Sequence, residues 1–427
     1  MLGCTHRTTR GGPQDVGEMH MTRWIASLAL LLAIGCQKDT TEPKPVIDTN
    51  VPVCLTAPEP SGNAVVLSKG PYLQWPTPTS MVVRFEADSQ DVAHVAVWLP
   101  NEQCLVSLVE TTGTVMPMPK NIGNLPAPVG FQHSATLEGL SPGTLYQYKV
   151  IAGTTVSFPY TFRTAPNADQ GYTVAILGDT RTHDVPHQAV IDAISLLSPD
   201  LTVNTGDAMG SGGVLADWEG FFAIEDTLLH QSPLMPAYGN HEAILGFPYY
   251  TGYWHLPNSY QAEELNYAFT YGNSAWIVLD SNSLPDAKRQ AWIDDQLTQA
   301  ADARYLFVVF HHPVFSFSKH VPNAKWEEKL HPVFLAHNVT AVFNGHNHCY
   351  EHFVVDDLHY IVTGGGGAPL YGINEHIVPD MEDKRVAARK SHHFMLATFT
   401  HTEATFVVHD VDAENVIETF SLTPRIP

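Results

Sequence analysis

Basic residues are scarce in this sequence: 22 Lys and Arg stand against 44 Asp and Glu, a formal net charge of −22. A surplus of that sign excludes a basic patch as the means of holding duplex nucleic acid or an anionic lipid surface. An anionic ligand must be drawn by local positive charge, and bound cations can supply it. Cysteine is scarcer still, at five residues. There is neither a Cys-x-x-Cys pair nor a zinc-finger spacing, so any metal must be held by His, Asp and Asn. Long apolar runs are missing as well. The candidate from Trp24 to Ile34 is too short to cross a bilayer as a helix. What is present is length: 427 residues suffice for two or three domains with a sizeable core.

The stretch "MTRWIASLALLLAIGCQ" (residues 21–37) combines one arginine, an apolar run, Gly35 and Cys36, and reads as a secretory signal. Its end resembles a bacterial lipobox, in which Cys36 is acylated and becomes the mature N-terminus; cleavage without lipid is the alternative. The residues before Met21 are polar, so translation is expected to begin at Met19 or Met21. Residues 1–36 are thus the signal or lipoprotein segment. Residues 37–60, rich in Pro, Thr and charge, form a linker. The protein is expected to be exported, as a cell-envelope lipoprotein or in periplasmic or secreted form. In that oxidising setting Cys54 and Cys104 are disulfide candidates and Cys349 is left over.

Residues 61–167 carry short strand-like runs such as "SMVVRFEA", "HVAVWLP" and "LYQYKVIAG" between Pro, Gly and Asn clusters, which predicts an all-β sandwich. The segment "LEGLSPGTLYQYKV" resembles the corner of fibronectin type III-like domains, where a tyrosine braces the turn; Tyr146 is expected to be that brace. From 168 to 427 the pattern changes to continuous apolar runs, "YTVAILGDTR", "PDLTVNTGDA", "LMPAYGNHE", "YLFVVFHHP" and "TAVFNGHNH", with helix-like stretches such as "PHQAVIDAISLL" between some of them. Such runs predict strands buried on both faces, hence an α/β domain. Each delivers Asp, Asn or His at its carboxyl end, the edge where open α/β sheets bind ligands.

The candidate ligands are Asp179, Asp207, Asn240, His241, His311, His346 and His348. Singly, each motif is an ordinary turn or strand cap; together, at successive strand ends, they point to a site. In an extended segment His346 and His348 would face the same way, each able to serve one of two adjacent ions. Asp207 can bridge such a pair, and Asn240 adds a neutral carbonyl. Glycine before Asp179, Asp207, Asn240 and His346 lets the backbone turn sharply. The ligand set, mixed O and N without thiolate, is that of a two-metal hydrolytic site.

These residues, in this order, resemble the calcineurin-like metallophosphoesterases over most of residues 172–367. Together with "KGPYLQWPTPTSMVVRF" in the sandwich, the arrangement is similar to purple acid phosphatases and their bacterial relatives. The resemblance implies a four-layer αββα catalytic sandwich that hydrolyses phosphate esters with a hydroxide held by two metal ions. It implies that Asp207 bridges the ions, with Asp179 and His348 on the first and Asn240, His311 and His346 on the second. It gives His241 to the substrate phosphate and leaving group, with Glu242 as its partner, and Fe, Zn or Mn as the metals.

The sequence departs from that pattern at two places. Arg181 stands where many members have histidine, and Gly210 where purple enzymes have a tyrosine ligand, so no purple colour is expected and His183 or water would complete the first ion. Arg181 and His320 are candidate phosphate contacts. The expected partner is a small phosphorylated substrate, with membrane contact only through an N-terminal lipid. The rival readings are a phosphodiesterase acting on nucleotides or lipid head groups, shaped by loops 208–235 and 316–330, and a non-catalytic surface-binding lipoprotein.

Overall fold

The computed structural model describes residues 54–116, 126–245, 247–257, 260–262 and 264–425. The signal, acylation at Cys36 and the linker before Cys54 lie outside them. From Cys54 to Pro60 the chain has no regular secondary structure. It is nevertheless tied to the strands beyond it, by a disulfide from Cys54 to Cys104 and by the Leu105 N–H on the Leu55 carbonyl at 2.9 Å.

The first eight strands are β1 (Leu67–Gln74), β2 (Ser80–Ala87), β3 (Ala93–Trp98), β4 (Leu105–Thr111), β5 (Phe131–Glu138), β6 (Leu145–Ala152), β7 (Thr155–Val156) and β8 (Tyr160–Arg163). They form two sheets, β1-β2-β5 and β4-β3-β6-β7, with β8 also on β6. Strand β5 shows the cause in its alternation: Ala135 and Leu137 are buried, while Ser134, Thr136 and Glu138 face solvent. Tyr146 is buried and its hydroxyl accepts the Ser141 N–H at 2.8 Å, so it braces the corner. Strand β2 is buried on both faces because its outer face meets the second half of the chain. There the Arg84 guanidinium donates to the Trp254 and Gly252 carbonyls, and the Tyr72 hydroxyl donates to the Tyr253 carbonyl.

The second half contains β9 (Tyr172–Leu177), α1 (Asp184–Leu197), β10 (Leu201–Asn204), α2 (Leu215–Leu229), β11 (Leu234–Pro236), α3 (Phe247–Tyr253), β12 (Tyr267–Tyr271) and β13 (Ser274–Leu279). Then come α4 (Ala287–Gln299), β14 (Tyr305–Phe310), α5 (Ala324–Ala336), β15 (Ala341–Asn344), β16 (Tyr350–Val355), β17 (Leu358–Thr363), β18 (Arg385–Arg389), β19 (His393–Phe399), β20 (Ala404–Asp410) and β21 (Asn415–Leu422). One sheet runs β11-β10-β9-β19-β20-β21, the other β12-β13-β14-β15-β17-β16-β18.

Their facing sides share a core that includes Val174, Ile176, Trp276, Phe307, Phe343 and Phe406. Outside the first sheet, Val190, Ile191 and Ile194 of α1 and Leu228 of α2 cover Ala175 and Leu177. Outside the second, Ile293 and Leu297 of α4 and Trp326, Leu330 and Phe334 of α5 cover Ile277, Val308 and Phe310. The result is the four-layer α/β/β/α sandwich expected from the continuous apolar runs. Most of the expected loop 208–235 is the helix α2, whose Trp218, Phe221 and Phe222 are buried.

Candidate metal centre

The parallel strands β9, β10 and β11 end at one edge of the first sheet, and β14 and β15 at one edge of the second. Asp179, Asp207, Asn240 and His241 follow the first three; His311, His346 and His348 follow the other two. Close backbone packing brings them together. A Cβ at Gly178 would lie 1.9 Å from Thr205 Oγ1, and one at Gly345 would lie 2.4 Å from Asp179 Oδ2. Asp179, Asp207 and His346 themselves adopt left-handed backbone, with φ of +56°, +57° and +67°. Such strain in non-glycine residues clusters at functional sites.

The two carboxylates are aimed by neighbouring backbone. Asp179 Oδ2 accepts the His346 N–H at 2.8 Å, and Asp207 Oδ1 accepts the His241 N–H at 2.8 Å. Glu242, expected as a partner of His241, does something else. It is buried and accepts the N–H groups of Asp207, Ala208 and Gly239 at 3.0, 2.6 and 2.9 Å, tying the second and third ligand loops together. Burial, then the nearby Asp207, raises its pKa to about 7. The His241 ring is held instead by its Nδ1–H on the Gly210 carbonyl.

The donor atoms meet where only a cation, a proton or a metal, can sit between them. His311 Nδ1–H donates to the Thr205 carbonyl at 3.0 Å, which leaves Nε2 as the atom turned toward the other donors. That Nε2 faces Asn240 Oδ1 at 3.1 Å and Asp207 Oδ1 at 3.3 Å. Asp207, His311 and His346 offer ligand atoms all within 4.8 Å of one another. His348 repeats the arrangement: Nδ1–H donates to the Pro369 carbonyl at 2.7 Å, and Nε2 faces Asp179 Oδ1 at 3.4 Å. Asp179 Oδ1 is buried and accepts no hydrogen bond.

Carboxylate, amide and imidazole atoms facing one another in this way call for a cation, and Asp207, His311 and His346 fit a metal ion. Charge points the same way, since without metal a proton takes the cation's place on His311. Burial disfavours charge on His311, yet Asp207, Asp179 and Glu242 raise its pKa to about 9. Burial would raise the Asp207 pKa, but His311 and His241 hold it far below the usual carboxylate range. Burial, then His311, His312 and His320, drives the His346 pKa well below its ordinary value, so its ring stays neutral.

The segment around His346 and His348 is bent rather than extended. Asn347 N–H bonds back to the Gly345 carbonyl and Cys349 N–H to the Asn347 carbonyl, both at 2.8 Å. The bend, with the positive φ at His346, sets the His346 ring beside His311 and the His348 ring beside Asp179. Asn347 is more than a spacer: Oδ1 accepts the His320 N–H at 2.9 Å, and Nδ2 donates to the His320 carbonyl and Ser316 Oγ.

His320 thereby stands beside His346, with ring centroids 4.5 Å apart. With His312, Ser281 and Asn282 it lines a cavity of about 220 Å³. Tyr371, which no sequence signal marked, stacks on His348 at 3.9 Å. The glycine-rich loop after β17 passes close to the site, since a Cβ at Gly364 would lie 2.8 Å from Asp179 Oδ2. His183 stands exposed at the N-terminus of α1, and Cys349 is buried with a free thiol outside the donor set. Gly210 brings no ligand side chain, and a Cβ there would approach Asp217 Oδ2 at 2.9 Å.

Comparison with known proteins agrees with this geometry. Residues 172–350 match the family model described as calcineurin-like phosphoesterase, and residues 69–164 match that of the purple acid phosphatase N-terminal domain. A probable purple acid phosphatase 20 of Arabidopsis thaliana is 26% identical over 253 residues, covering 53% of this chain and 58% of that protein. The tartrate-resistant acid phosphatase type 5 of Sus scrofa is 24% identical over 42% of this chain and 62% of its own length. This chain therefore spans less than two thirds of these relatives. Among solved structures, the purple acid phosphatase PPD1 from yellow lupin seeds superposes with a TM-score of 0.72 at 18% identity, over 84% of this chain and 74% of that one. PhoD does so with 0.63 at 11% identity, over 85% and 90%. These two likenesses establish the fold.

Proposed function

From a chain that carries a calcineurin-like phosphoesterase domain behind a purple acid phosphatase N-terminal domain, we propose an exported hydrolase of phosphate esters with two metal ions at its centre. One observation carries the reading: imidazole, amide and carboxylate atoms from five strand ends face one another, His311 Nε2 against Asn240 and Asp207, His348 Nε2 against Asp179. In this reading Asp207 bridges, Asp179 and His348 hold the first ion, and Asn240, His311 and His346 hold the second. The metals are Fe, Zn or Mn, which such N/O donors suit. Bound there, the ions would supply Lewis acidity and a means of making water nucleophilic near neutral pH.

The chain's own residues do the rest. The His241 Nδ1–H is fixed on the Gly210 carbonyl, so its proton-exchanging atom is Nε2, on a ring that is 23% exposed. That atom is available to give a proton to the leaving alcohol. His320 and the cavity it shares with Ser281, Asn282 and His312 receive the alcohol portion. Buried Asp207, Glu242 and the glycine-rich loop hold the donors in register before substrate arrives, which is how such sites stabilise developing charge.

The Cys54–Cys104 disulfide supports export to an oxidising compartment, and the braced corner at Tyr146 supports a fibronectin type III-like sandwich. We place the boundary between the two domains near residue 167. The test is an assay of the purified protein on aryl phosphate and bis-aryl phosphate, with metal content measured alongside. Preferred cleavage of the monoester is expected. Absence of transition metal with no hydrolysis of either ester refutes the reading, and preference for the diester replaces it with a phosphodiesterase.

A further inference from the structure

The Arg181 guanidinium lies against two of the candidate donors. Its Nε lies 3.2 Å from Asp207 Oδ2, and a terminal nitrogen lies 3.2 Å from His348 Nε2. Its side chain is 13% exposed. These two atoms, with Asp179 Oδ1, make up the first metal position. The guanidinium thus contacts two of that position's three donors. Among the described residues no Lys or Arg contact is made to the donors of the second, Asp207 Oδ1, Asn240, His311 and His346. We propose that Arg181 is a built-in cation competing for the first position, so that the two positions fill unequally. The proposal rests on the metal-dependent reading and refines it.

The physics is a contest between like charges. A guanidinium stays charged at every pH a protein survives, so it cannot yield the place by losing a proton as lysine or histidine can. An ion reaching Asp207 Oδ2 and His348 Nε2 must push it aside, whereas an ion at the second position displaces only protons.

The fold provides somewhere for it to go. A cavity of about 360 Å³ adjoins the site, lined by Arg181 itself, Thr182, Gly210, Asp184 and Asp217. Gly210 adds no side chain to that cavity and no ligand to the first position. Asp184 and Asp217 offer the displaced guanidinium carboxylate partners. At low metal the protein therefore carries one ion and an arginine; a second ion enters as Arg181 swings into the cavity.

The experiment strips the full chain with a chelator and titrates Zn²⁺ alone, reading bound metal by equilibrium dialysis with elemental analysis and following the thermal midpoint in parallel. Wild type should take the first equivalent tightly and the second at least about tenfold more weakly, the scale on which neighbours of metal ligands act. Arg181→Ala should tighten the second equivalent about tenfold or more and leave the first unchanged. Arg181→Lys, which keeps a charge, should retain most of the gap. Two equivalents of equal affinity in wild type, or an unchanged second equivalent in the alanine variant, overturns the proposal and leaves the metal-dependent reading standing. If neither protein takes up zinc while the thermal midpoints report folded chains, both fall together.

Discussion

In the proposed assignment Asn240→Ala removes one of the four donors at the second position, and its effect can be worked out from the structure. Asn240 is only half-buried, and its polar contact is Oδ1 against His311 Nε2 at 3.1 Å. Without metal, little stability rests on it, so the stripped variant should melt within about 1 °C of wild type, as substitutions away from core features do. With metal the difference becomes large. Groups that merely support ligands change affinity by about 10- to 100-fold, and a direct ligand belongs at the upper end.

At a metal concentration about 100 times the wild-type Kd, binding stabilises the fold by about 2.7 kcal/mol. A hundredfold weaker variant at the same concentration keeps only about 0.4 kcal/mol, a loss of about 2.3 kcal/mol. At roughly 1–2 °C per kcal/mol for a chain of this size, the metal-loaded variant should melt roughly 2–5 °C below wild type. Differential scanning with and without chelator measures this, and phosphatase activity should fall in parallel. Full metal stabilisation and full activity in the variant would refute the ligand assignment. So would an equal loss in the stripped protein, which would mean that Asn240 acts on the fold alone.

Cys349→Ala should leave zinc uptake and activity close to wild type, since the thiol is buried and burial pushes its pKa far up, away from the thiolate a metal needs; loss of an equivalent of zinc would restore the cysteine to the donor set. Tyr146→Phe should cost about 1 kcal/mol by leaving the Ser141 N–H without its hydroxyl acceptor, with activity untouched; an unchanged urea midpoint would remove the brace. His393 is fully buried, with Nδ1–H on the Ser391 carbonyl and Nε2 near Thr363 Oγ1, and burial lowers its pKa to about 4. Because the folded value lies below the ordinary 6.5, the unfolded chain takes the proton first. Stability is therefore full above about pH 6.5 and falls toward about pH 4, by at most about 3 kcal/mol. His393→Gln should flatten that acid limb in melts taken between about pH 7 and 4.5, and an unaltered slope counts against the assignment.

The layers of the second domain were readable because strands buried on both faces must be continuously apolar, and "YLFVVF" and "YTVAIL" became β14 and β9 with no exposed residue. The ligand types and their order were readable for a chemical reason: without thiolates, a site built from Asp, Asn and His must show those residues where strands end. Cys54 and Cys104 were readable as candidates, though their 5.1 Å Cα separation belongs to the fold.

Three-dimensional packing decided the rest, because it turns on which atom of a side chain faces which neighbour. The resemblance implies Glu242 as a partner for His241; in the structure its carboxylate points back to three backbone N–H groups. His346 and His348 were separated by a bend and a positive φ, which residue types do not announce. Arg181 is a candidate phosphate contact by residue type, and only the fold sets its guanidinium between Asp207 and His348. Composition and motif order determined that this protein carries Asp, Asn and His donors at successive strand ends; only the tertiary structure decided that an arginine contacts two of them, because contacts between residues 26 and 167 apart in sequence are set by the folded chain.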